Sequence, residues 1–377
     1  MDIVGVVVEY NPFHKGHKYH IDKIKEKFPD SIIIAAMSGN FTQRGEISIV
    51  NKWDKTRIAL LEGIDIVAEI PFVFATESAD KFAKCSIQML SSLGCSHLVF
   101  GSECNDTSKL FTLALAQVNN PLFEEQVKKH MHEGLNYPTS ISRALYEITK
   151  VKIDSPNDIL GIAYIKEIIK QNSDINPSTI KRTNDYHNTT SNEEIISASN
   201  IREKLLSNID VKRFVPEKTY ALLPNDISFV NDYFDYLKFK IISEGLEISK
   251  YQTVDEGIEY KILKVIYEVN SIDELIGKLK TKRYTYNKLK RMFIHILCSF
   301  TKDEANENND IKYIRLLGFN ERGQKHLNKI KKSLKVPLLT KFDPDLLSVE
   351  LRVSSIYGMI RKDKLSSGDE YKRKPLK

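Results

Sequence analysis

The sequence is poor in cysteine and has no long apolar segment. Its 377 residues include four cysteines and no C-x-x-C pair, so we expect neither disulfides nor a structural metal site. The longest apolar run, IIIAAM, is far shorter than the roughly 20 residues that cross a bilayer. The opening MDIVG lacks the basic start of a secretory signal. We therefore expect a cytoplasmic protein without membrane association, with free thiols at Cys85, Cys95, Cys104 and Cys298.

Two common phosphate-binding loops are also absent. The chain contains no G-x-x-x-x-G-K-[ST] and no G-x-G-x-x-G, which removes the P-loop and the dinucleotide-binding fingerprint from consideration. What it does contain is EYNPFHKGHKYH, from Glu9 to His20, a segment with three histidines.

This segment has the features of a turn between a strand and a helix. A β-branched run, IVGVVV, precedes it, and apolar residues at helical spacing follow it. Pro12 ends the strand, and Gly16 allows close approach of a ligand to the backbone. His14 and His17 then share a face of the first helical turn, beside unpaired N–H groups that attract an anion. The pattern favours phosphate chemistry, with a surface pair or a metal site as the simpler alternatives.

The first two hundred residues alternate strand-like and helix-like segments. After IVGVVV, we predict strands at SIIIAAMSG, DIVAEIPF and HLVFGSE, separated by helices. Such alternation predicts an α/β fold with a doubly wound parallel sheet. Ligands bind such sheets beyond the carboxyl ends of the strands, where the HKGH turn, SGNFTQRGE and GSE are expected to meet.

A second candidate phosphate site follows in EEIISASNIREKLL. Ser197 or Ser199 can cap the helix that carries Ile201, and helix capping alone explains these serines. Arg202, one turn into the helix, also presents a fork of donors that fits phosphoryl oxygens.

The charge is unevenly distributed along the chain. Residues 277–335 carry 16 Lys and Arg against five Asp and Glu, an excess of eleven positive charges in a chain whose net charge is +6. This asymmetry suggests that the carboxyl-terminal part binds a polyanion. We predict a catalytic domain at 1–206, a connecting segment at 207–231, a mainly helical basic domain without convincing strands at 232–365, and a disordered tail at 366–377.

The histidine pair and the later ISAS-N-I-R string resemble the H-x-G-H and I-S-x-S/T-x-x-R signatures of the nucleotidyltransferase superfamily. The strings VVEYNPFHKGH, MSGNFTQRGE, PFVFATESA, LVFGSE and SPNDILGIAYIK narrow the resemblance to the bacterial tRNA(Met) cytidine acetate ligase family. A thinner resemblance continues through RYTYNKLKRM and IRLLGFNERG.

This resemblance implies an activity and a set of site residues. The family uses ATP, with Mg²⁺, and acetate to form acetyl-adenylate, and then acetylates N4 of the wobble cytidine of elongator methionine tRNA. His14, His17, Ser199 and Arg202 match the catalytic signatures. The ATP site maps onto Val7, Val8, Glu9, Tyr10, Asn11, Pro12, Phe13, His14, Lys15, Gly16, His17, Lys18, Tyr19, His20, Gly101, Asn157 and Arg182.

We also expect RNA-binding residues in RYTYNKLKR, where aromatic and basic side chains alternate: Arg283, Tyr284, Tyr286, Lys288 and Arg291. A solvated helix face is the simpler interpretation of this segment. Two other functions stay open from the sequence. A small-molecule adenylyltransferase of coenzyme biosynthesis would explain the histidines, and a non-catalytic RNA-binding protein would explain the charge.

Overall fold

The computed structural model describes residues 1–153, 155–182, 195–361 and 369–377. It contains a sheet of seven strands in the order β5-β4-β1-β2-β3-β6-β7, with helices on both faces. The strands are β1 Ile3–Val8, β2 Ile32–Ser38, β3 Ile66–Ile70, β4 His97–Ser102, β5 Asn176–Lys181, β6 Ile314–Phe319 and β7 Leu338–Leu339.

The helices of the amino-terminal half are α1 Lys15–Lys27, α2 Lys52–Glu62, α3 Phe72–Ala75, α4 Ala79–Ser92, α5 Thr107–Asn119, α6 Phe123–His132, α7 Tyr137–Thr149, α8 Pro156–Lys170 and α9 Ala198–Leu206. Those of the carboxyl-terminal half are α10 Glu217–Ala221, α11 Phe234–Glu244, α12 Ile258–Val265, α13 Ile272–Leu279, α14 Tyr286–Leu297, α15 Lys302–Glu307, α16 Glu321–Ile330, α17 Ser348–Ile360 and α18 Asp369–Lys372. Short 3₁₀ helices lie at Val230–Tyr233, Gly245–Lys250 and Ile266–Glu268.

The five amino-terminal strands confirm the predicted doubly wound α/β sheet. All five are parallel, and β2 and β3 are buried throughout, as their continuous apolar sequences predict. From β1 the chain builds outward through β2 and β3, and it then returns to add β4 and β5 on the other side of β1. The direction of winding therefore reverses between β1 and β4, which is where such sheets open a ligand crevice.

The carboxyl-terminal half is mainly helical, but it also completes the sheet. β6 pairs antiparallel with β3, and β7 pairs with β6. The expectation of no strands beyond residue 231 is therefore wrong. The partner of β6 is more than 240 residues away in sequence, and local periodicity does not encode such a pairing.

The expected disorder of the tail is also wrong for residues 369–377. Glu370 in α18 is buried and pairs with Arg315 of β6 at 2.6 Å. The backbone of Leu376 hydrogen-bonds to Leu317 and Phe319. The tail's charged composition suggested disorder, but Glu370 forms ion pairs with the buried side chains of Lys52 and Arg315. Residues 366–368 lie outside the described part of the chain.

In the described ranges, no helix combines the length and the apolar character needed to cross a membrane.

Candidate active site

A cavity of about 580 Å³ opens where the winding of the sheet reverses. Val7 and Val8 at the end of β1 and Gly101 at the end of β4 line its floor. The amino-terminal turn of α1 forms one wall and the start of α8 another. Of the predicted ATP-site residues, the following line this first cavity: Val7, Val8, Glu9, His14, Gly16, His17, Tyr19, His20, Gly101, Asn157 and Arg182.

The histidine pair is held by a reciprocal cap on α1. His14 Nδ1 accepts a hydrogen bond from the Gly16 N–H at 3.0 Å, and His17 Nδ1 accepts one from the His14 N–H at 3.2 Å. The two ring centroids lie 3.8 Å apart. With both Nδ1 atoms accepting, this hydrogen-bond pattern assigns the proton of each neutral ring to Nε2. The pair therefore presents two N–H donors at the cavity wall.

Both rings are uncharged at neutral pH. Burial, with Arg182 and Arg202 nearby, lowers the pKa of His14 to about 3. Burial, with His14 beside it, lowers the pKa of His17 well below its ordinary value. Burial and Arg182 lower the pKa of His20 to about 4. Burial is the main cause of these lowered pKa values, and the arginine charge that adds to it also suits an anionic ligand.

Arg182 forms the opposite side of the cavity, close to Gly101. A Cβ on Gly101 would lie 3.3 Å from Arg182 Cγ, so the absence of a side chain leaves room for the arginine. Arg182 Nε lies 3.5 Å from Glu103 Oε1, which also accepts a hydrogen bond from Asn157 Nδ2 at 2.5 Å.

Two buried polar atoms at this cavity make no hydrogen bond within the described residues. They are His20 Nε2 and Arg182 Nε, the second of which has only the ion pair with Glu103, and both are shielded from solvent. Buried donors are rarely left unpaired, and such atoms at a cavity wall mark a place for ligand acceptors. Both side chains line the cavity, which therefore fits a polar, negatively charged ligand.

The remaining predicted residues of the segment Val7–His20 support the turn without lining the cavity. Tyr10 and Phe13 are buried in the core, with ring centroids 4.7 Å apart. Asn11 Oδ1 accepts from the Ile49 N–H at 2.8 Å. Pro12, Lys15 and Lys18 also lie off the cavity.

The second signature lies differently from its prediction. Ser197, rather than Ser199, caps α9 by accepting from the Asn200 N–H, and Ser197 lines the cavity. Ser199 Oγ is 3.0 Å from Ser197 Oγ. Arg202 donates to the Asn11 carbonyl at 2.7 Å and pairs with Glu46 at 2.5 Å, so it braces the turn before α1. Neither Ser199 nor Arg202 lines the cavity.

The predicted RNA-binding residues separate into two groups. Arg283, Lys288 and Arg291 line a second cavity of about 640 Å³. Tyr284 is only 5% exposed and its hydroxyl donates to the Asp255 carbonyl, so it cannot serve as a stacking platform. Tyr286 is 41% exposed and lies outside both cavities.

Sequence reasoning missed several residues of the site. Gln43 and Arg44, in the SGNFTQRGE segment, line the first cavity, and the Gln43 N–H donates to Glu9 Oε1 at 2.7 Å. Asp158 is buried and accepts from the Glu103 and Cys104 N–H groups, both at 3.1 Å, which fixes the turn after β4. The position of Asp158 after Asn157 at a helix start was the available signal.

This combination defines a class of protein. A reversal in a doubly wound parallel sheet, a histidine pair capping the first helix and an arginine-lined cavity are the features of an α/β nucleotidyltransferase. The model of the HIGH Nucleotidyl Transferase family matches residues 1–372.

Comparison with known proteins narrows the class. A tRNA(Met) cytidine acetate ligase of Anoxybacillus flavithermus is 39% identical, with 100% of both chains covered. One of Caldicellulosiruptor saccharolyticus is 38% identical over 96% of this chain and 95% of the relative. Crystal structures of Thermotoga maritima TmcAL, apo and bound with alpha-thio ATP, have TM-scores of 0.93 and 0.89 at 27% and 28% identity, covering 100% of this chain and 99% of theirs. The chain belongs to the HIGH nucleotidyl transferases and, among them, to the tRNA(Met) cytidine acetate ligase family.

Proposed function

We propose that the protein activates acetate with ATP and transfers the acetyl group to N4 of the wobble cytidine of elongator tRNA(Met). The observation that carries the proposal is the convergence of His14, His17, Gly101, Asn157 and Arg182 on one cavity at the reversal of the sheet. Full-length relatives bear the name of this activity, and the structure of one of them is bound with an ATP analogue. The reaction belongs in the cytoplasm, where tRNA and ATP meet.

In the first step, an acetate oxygen attacks the α-phosphorus of ATP, and pyrophosphate leaves. The Nε2–H groups of His14 and His17 donate to phosphate oxygens on which negative charge grows. Because a backbone N–H occupies the Nδ1 lone pair of each ring, the rings stabilise this charge as donors and offer no free lone pair for covalent chemistry. Arg182 supplies a fixed positive charge on the other side of the cavity.

In the second step, N4 of cytidine attacks the acetyl carbon of acetyl-adenylate. The new N–C bond forms as the C–O bond to the phosphate breaks, AMP leaves with the electron pair, and N4 loses one proton to water. The site needs no covalent nucleophile of its own, since the adenylate is already an activated acyl group.

Mg²⁺ would enter as the complex with ATP. Among the described residues no group of three or more His, Cys, Asp or Glu side chains is arranged to hold a metal ion. Mg²⁺ is commonly bound through substrate phosphates and water, so it would be held here by the phosphates of ATP rather than by a cluster of protein ligands.

Isotope-resolved mass spectrometry tests the function. An unmodified elongator tRNA(Met) transcript is incubated with the protein, ATP and doubly ¹³C-labelled acetate, and its nucleosides are analysed. We expect N4-acetylcytidine carrying both labels, and none when the wobble cytidine of the transcript is replaced by uridine. Release of pyrophosphate without free AMP and without modified cytidine would instead favour a small-molecule adenylyltransferase, which keeps the AMP group in its product.

A further inference from the structure

The second cavity adjoins the first. The two share five lining residues, which form a common boundary: Gln43, Ala79, Pro138, Ile159 and Asn287. The walls of the second cavity include residues of α4, α6, α7 and the start of α14. A molecule in the second cavity therefore lies beside a ligand in the first.

The second cavity carries positive charge that its own carboxylates do not neutralise. Each of the three carboxylates in its lining has a nearby cationic partner: Glu77 has Lys81 at 3.3 Å, Asp80 has Lys166, and Glu256 has Arg283 at 3.4 Å. Lys288 and Arg291 form no ion pair with any carboxylate of the described residues. Lys288 Nζ lies 4.1 Å from the centre of the Tyr284 ring, and Arg291 donates to the Gln43 carbonyl at 3.3 Å.

Lys288 and Arg291 are partly removed from water, so an anion beside them would stabilise their charges. Burial lowers the pKa of Lys288 from its ordinary value, with Glu256 and Asp255 acting in the opposite direction. Burial likewise lowers the pKa of Arg291, with Glu77 acting in the opposite direction, and Arg291 lines the cavity with Lys288. A phosphodiester group placed between them would gain two charge-assisted hydrogen bonds.

Size and wall chemistry select the ligand. A volume of about 640 Å³ lies within the range of ligand pockets and is far larger than acetate requires. Tyr137 on its wall is 44% exposed and offers a ring for stacking, the usual way in which proteins hold an unpaired base. Asn287 lies on the boundary with the first cavity, its side-chain amide makes no hydrogen bond within the described residues, and that amide can donate to the acceptor edge of a base.

From these observations we propose that the second cavity receives the unstacked acceptor nucleotide of the RNA, with Lys288 and Arg291 on its backbone phosphates and its exocyclic amine at the boundary with the first cavity. This assignment rests on the proposed function. It places the nucleotide and the acetyl-adenylate in adjoining cavities, so that the acetyl group moves across the boundary at Gln43 and Asn287.

The test separates activation of acetate from transfer to RNA. Hydroxylamine is small enough to reach acetyl-adenylate without the second cavity, and it yields acetohydroxamate and AMP. Ile141→Trp fills the second cavity from α7, while Arg143→Trp places the same side chain on the exposed side of that helix. The double variant Lys288→Ala/Arg291→Ala removes the cations without adding bulk. For each protein we compare kcat/KM for the tRNA transcript with the rate of acetohydroxamate formation.

We expect the ratio of tRNA acetylation to acetohydroxamate formation to fall at least tenfold in Ile141→Trp and in the double variant, and to stay unchanged in Arg143→Trp. An unchanged ratio in both cavity variants would overturn the assignment. So would a raised KM for pyrophosphate in ATP–pyrophosphate exchange with an unaltered KM for tRNA, since the cations would then hold the leaving group.

Failure of the proposed function is recognised separately. If the wild-type protein formed no acetohydroxamate, the proposed chemistry would be wrong. Whether the second cavity binds RNA is then tested by fluorescence anisotropy with the labelled transcript. Weaker binding by the double variant supports the assignment, and equal binding contradicts it.

Discussion

In the proposed reaction, His14 and His17 would act as donors whose orientation the fold has already fixed. Each ring uses Nδ1 to satisfy a backbone N–H of the first helical turn, and this fixes both the orientation of the ring and the position of its proton. Burial keeps the rings neutral, and the charge of the nearby Arg182 adds to this effect. Donors held in this way need no reorganisation when charge develops on the substrate.

We predict that His14→Asn lowers acetate-dependent ATP–pyrophosphate exchange on the order of 10²-fold or more, because it removes a donor to the developing charge. Asparagine is a favoured N-cap, so α1 and the overall stability should be retained. The matched control is His97→Asn at the start of β4, the end of that strand farther from Gly101. Wild-type exchange in His14→Asn would place this residue outside the chemistry.

The burial of His20 predicts that the protein loses stability in acid. His20 has a pKa of about 4 in the folded protein and an ordinary value of 6.5 when unfolded, so the unfolded state takes up the proton first. The free energy of unfolding should thus be unaffected by His20 above pH 7.5 and should fall as the pH drops from 6.5 toward 4. Each such histidine contributes a slope of up to about 1.4 kcal/mol per pH unit.

Urea denaturation of the wild type and of His20→Gln between pH 7.5 and pH 5 measures this contribution. The variant should lose less stability over this interval than the wild type. Parallel curves for the two proteins would mean that His20 is protonated in the folded state.

At the residue scale, local motifs in the sequence single out the histidines, Gly101, Asn157 and Arg182, and these residues line one cavity; that they bind ATP stays a prediction. The ion pair of Arg202 with Glu46 was not predictable, since Glu46 is far away in sequence and no local pattern links the two. Burial alone would raise the pKa of Glu46, yet Arg202 and Lys290 lower it, so this carboxylate is a strong ion-pair partner. A phosphate contact by Arg202 would have to compete with that pair.

At the scale of elements, α18 is attached through a buried cluster of charges. Lys52 of α2 lies 2.8 Å from Glu69 of β3 and 2.6 Å from Glu370 of α18. Arg315 of β6 lies 3.1 Å from Glu69 and 2.6 Å from Glu370. Two cations and two carboxylates thus alternate, and α18 supplies one of the carboxylates.

Glu370→Ala should destabilise the protein by roughly 3 to 5 kcal/mol, because removing one partner leaves buried charge uncompensated. Glu321→Ala, an exposed substitution in the first turn of α16, is the control and should change stability by less than about 0.5 kcal/mol. Chemical denaturation of the two variants gives the comparison. If Glu370→Ala matched the control, this cluster of charges would contribute nothing to stability.

Local elements were largely predictable, while their long-range partners were not. The apolar runs of β1 to β4 and the helical spacing of α1 and α8 are visible in the sequence. The pairing of β6 with β3 and the position of α7 over the second cavity depend on tertiary contacts. Because β6 pairs with β3, the predicted boundary near residue 207 separates two parts of different composition that share one sheet.

At the scale of the whole molecule, the basic segment 277–335 divides between opposite edges of the sheet. Lys288 and Arg291 lie at the cavities, beyond the carboxyl ends of the strands. In α16, Arg322 donates to the Asp30 and Ser31 carbonyls before β2, and His326 contacts the Leu93 carbonyl before β4. The exposed lysines of α16 therefore lie at the edge away from the candidate active site, and the sequence count of charges does not describe one RNA-binding surface.

This division predicts how tRNA binding responds to salt. Each phosphate contact releases counterions, so removing one reduces the slope of log K against log[salt] by about 0.7 to 0.9. Lys288→Ala/Arg291→Ala should therefore lower the slope by nearly twice that amount, while Lys325→Ala/Lys329→Ala, two exposed lysines of α16, should leave it unchanged. Both pairs remove two positive charges, so a difference between them reports position rather than net charge. Anisotropy titrations of the transcript from 50 to 300 mM KCl give both slopes. Equal losses would show that the RNA responds only to the total charge, and a loss confined to the α16 pair would place the RNA at the opposite edge of the sheet.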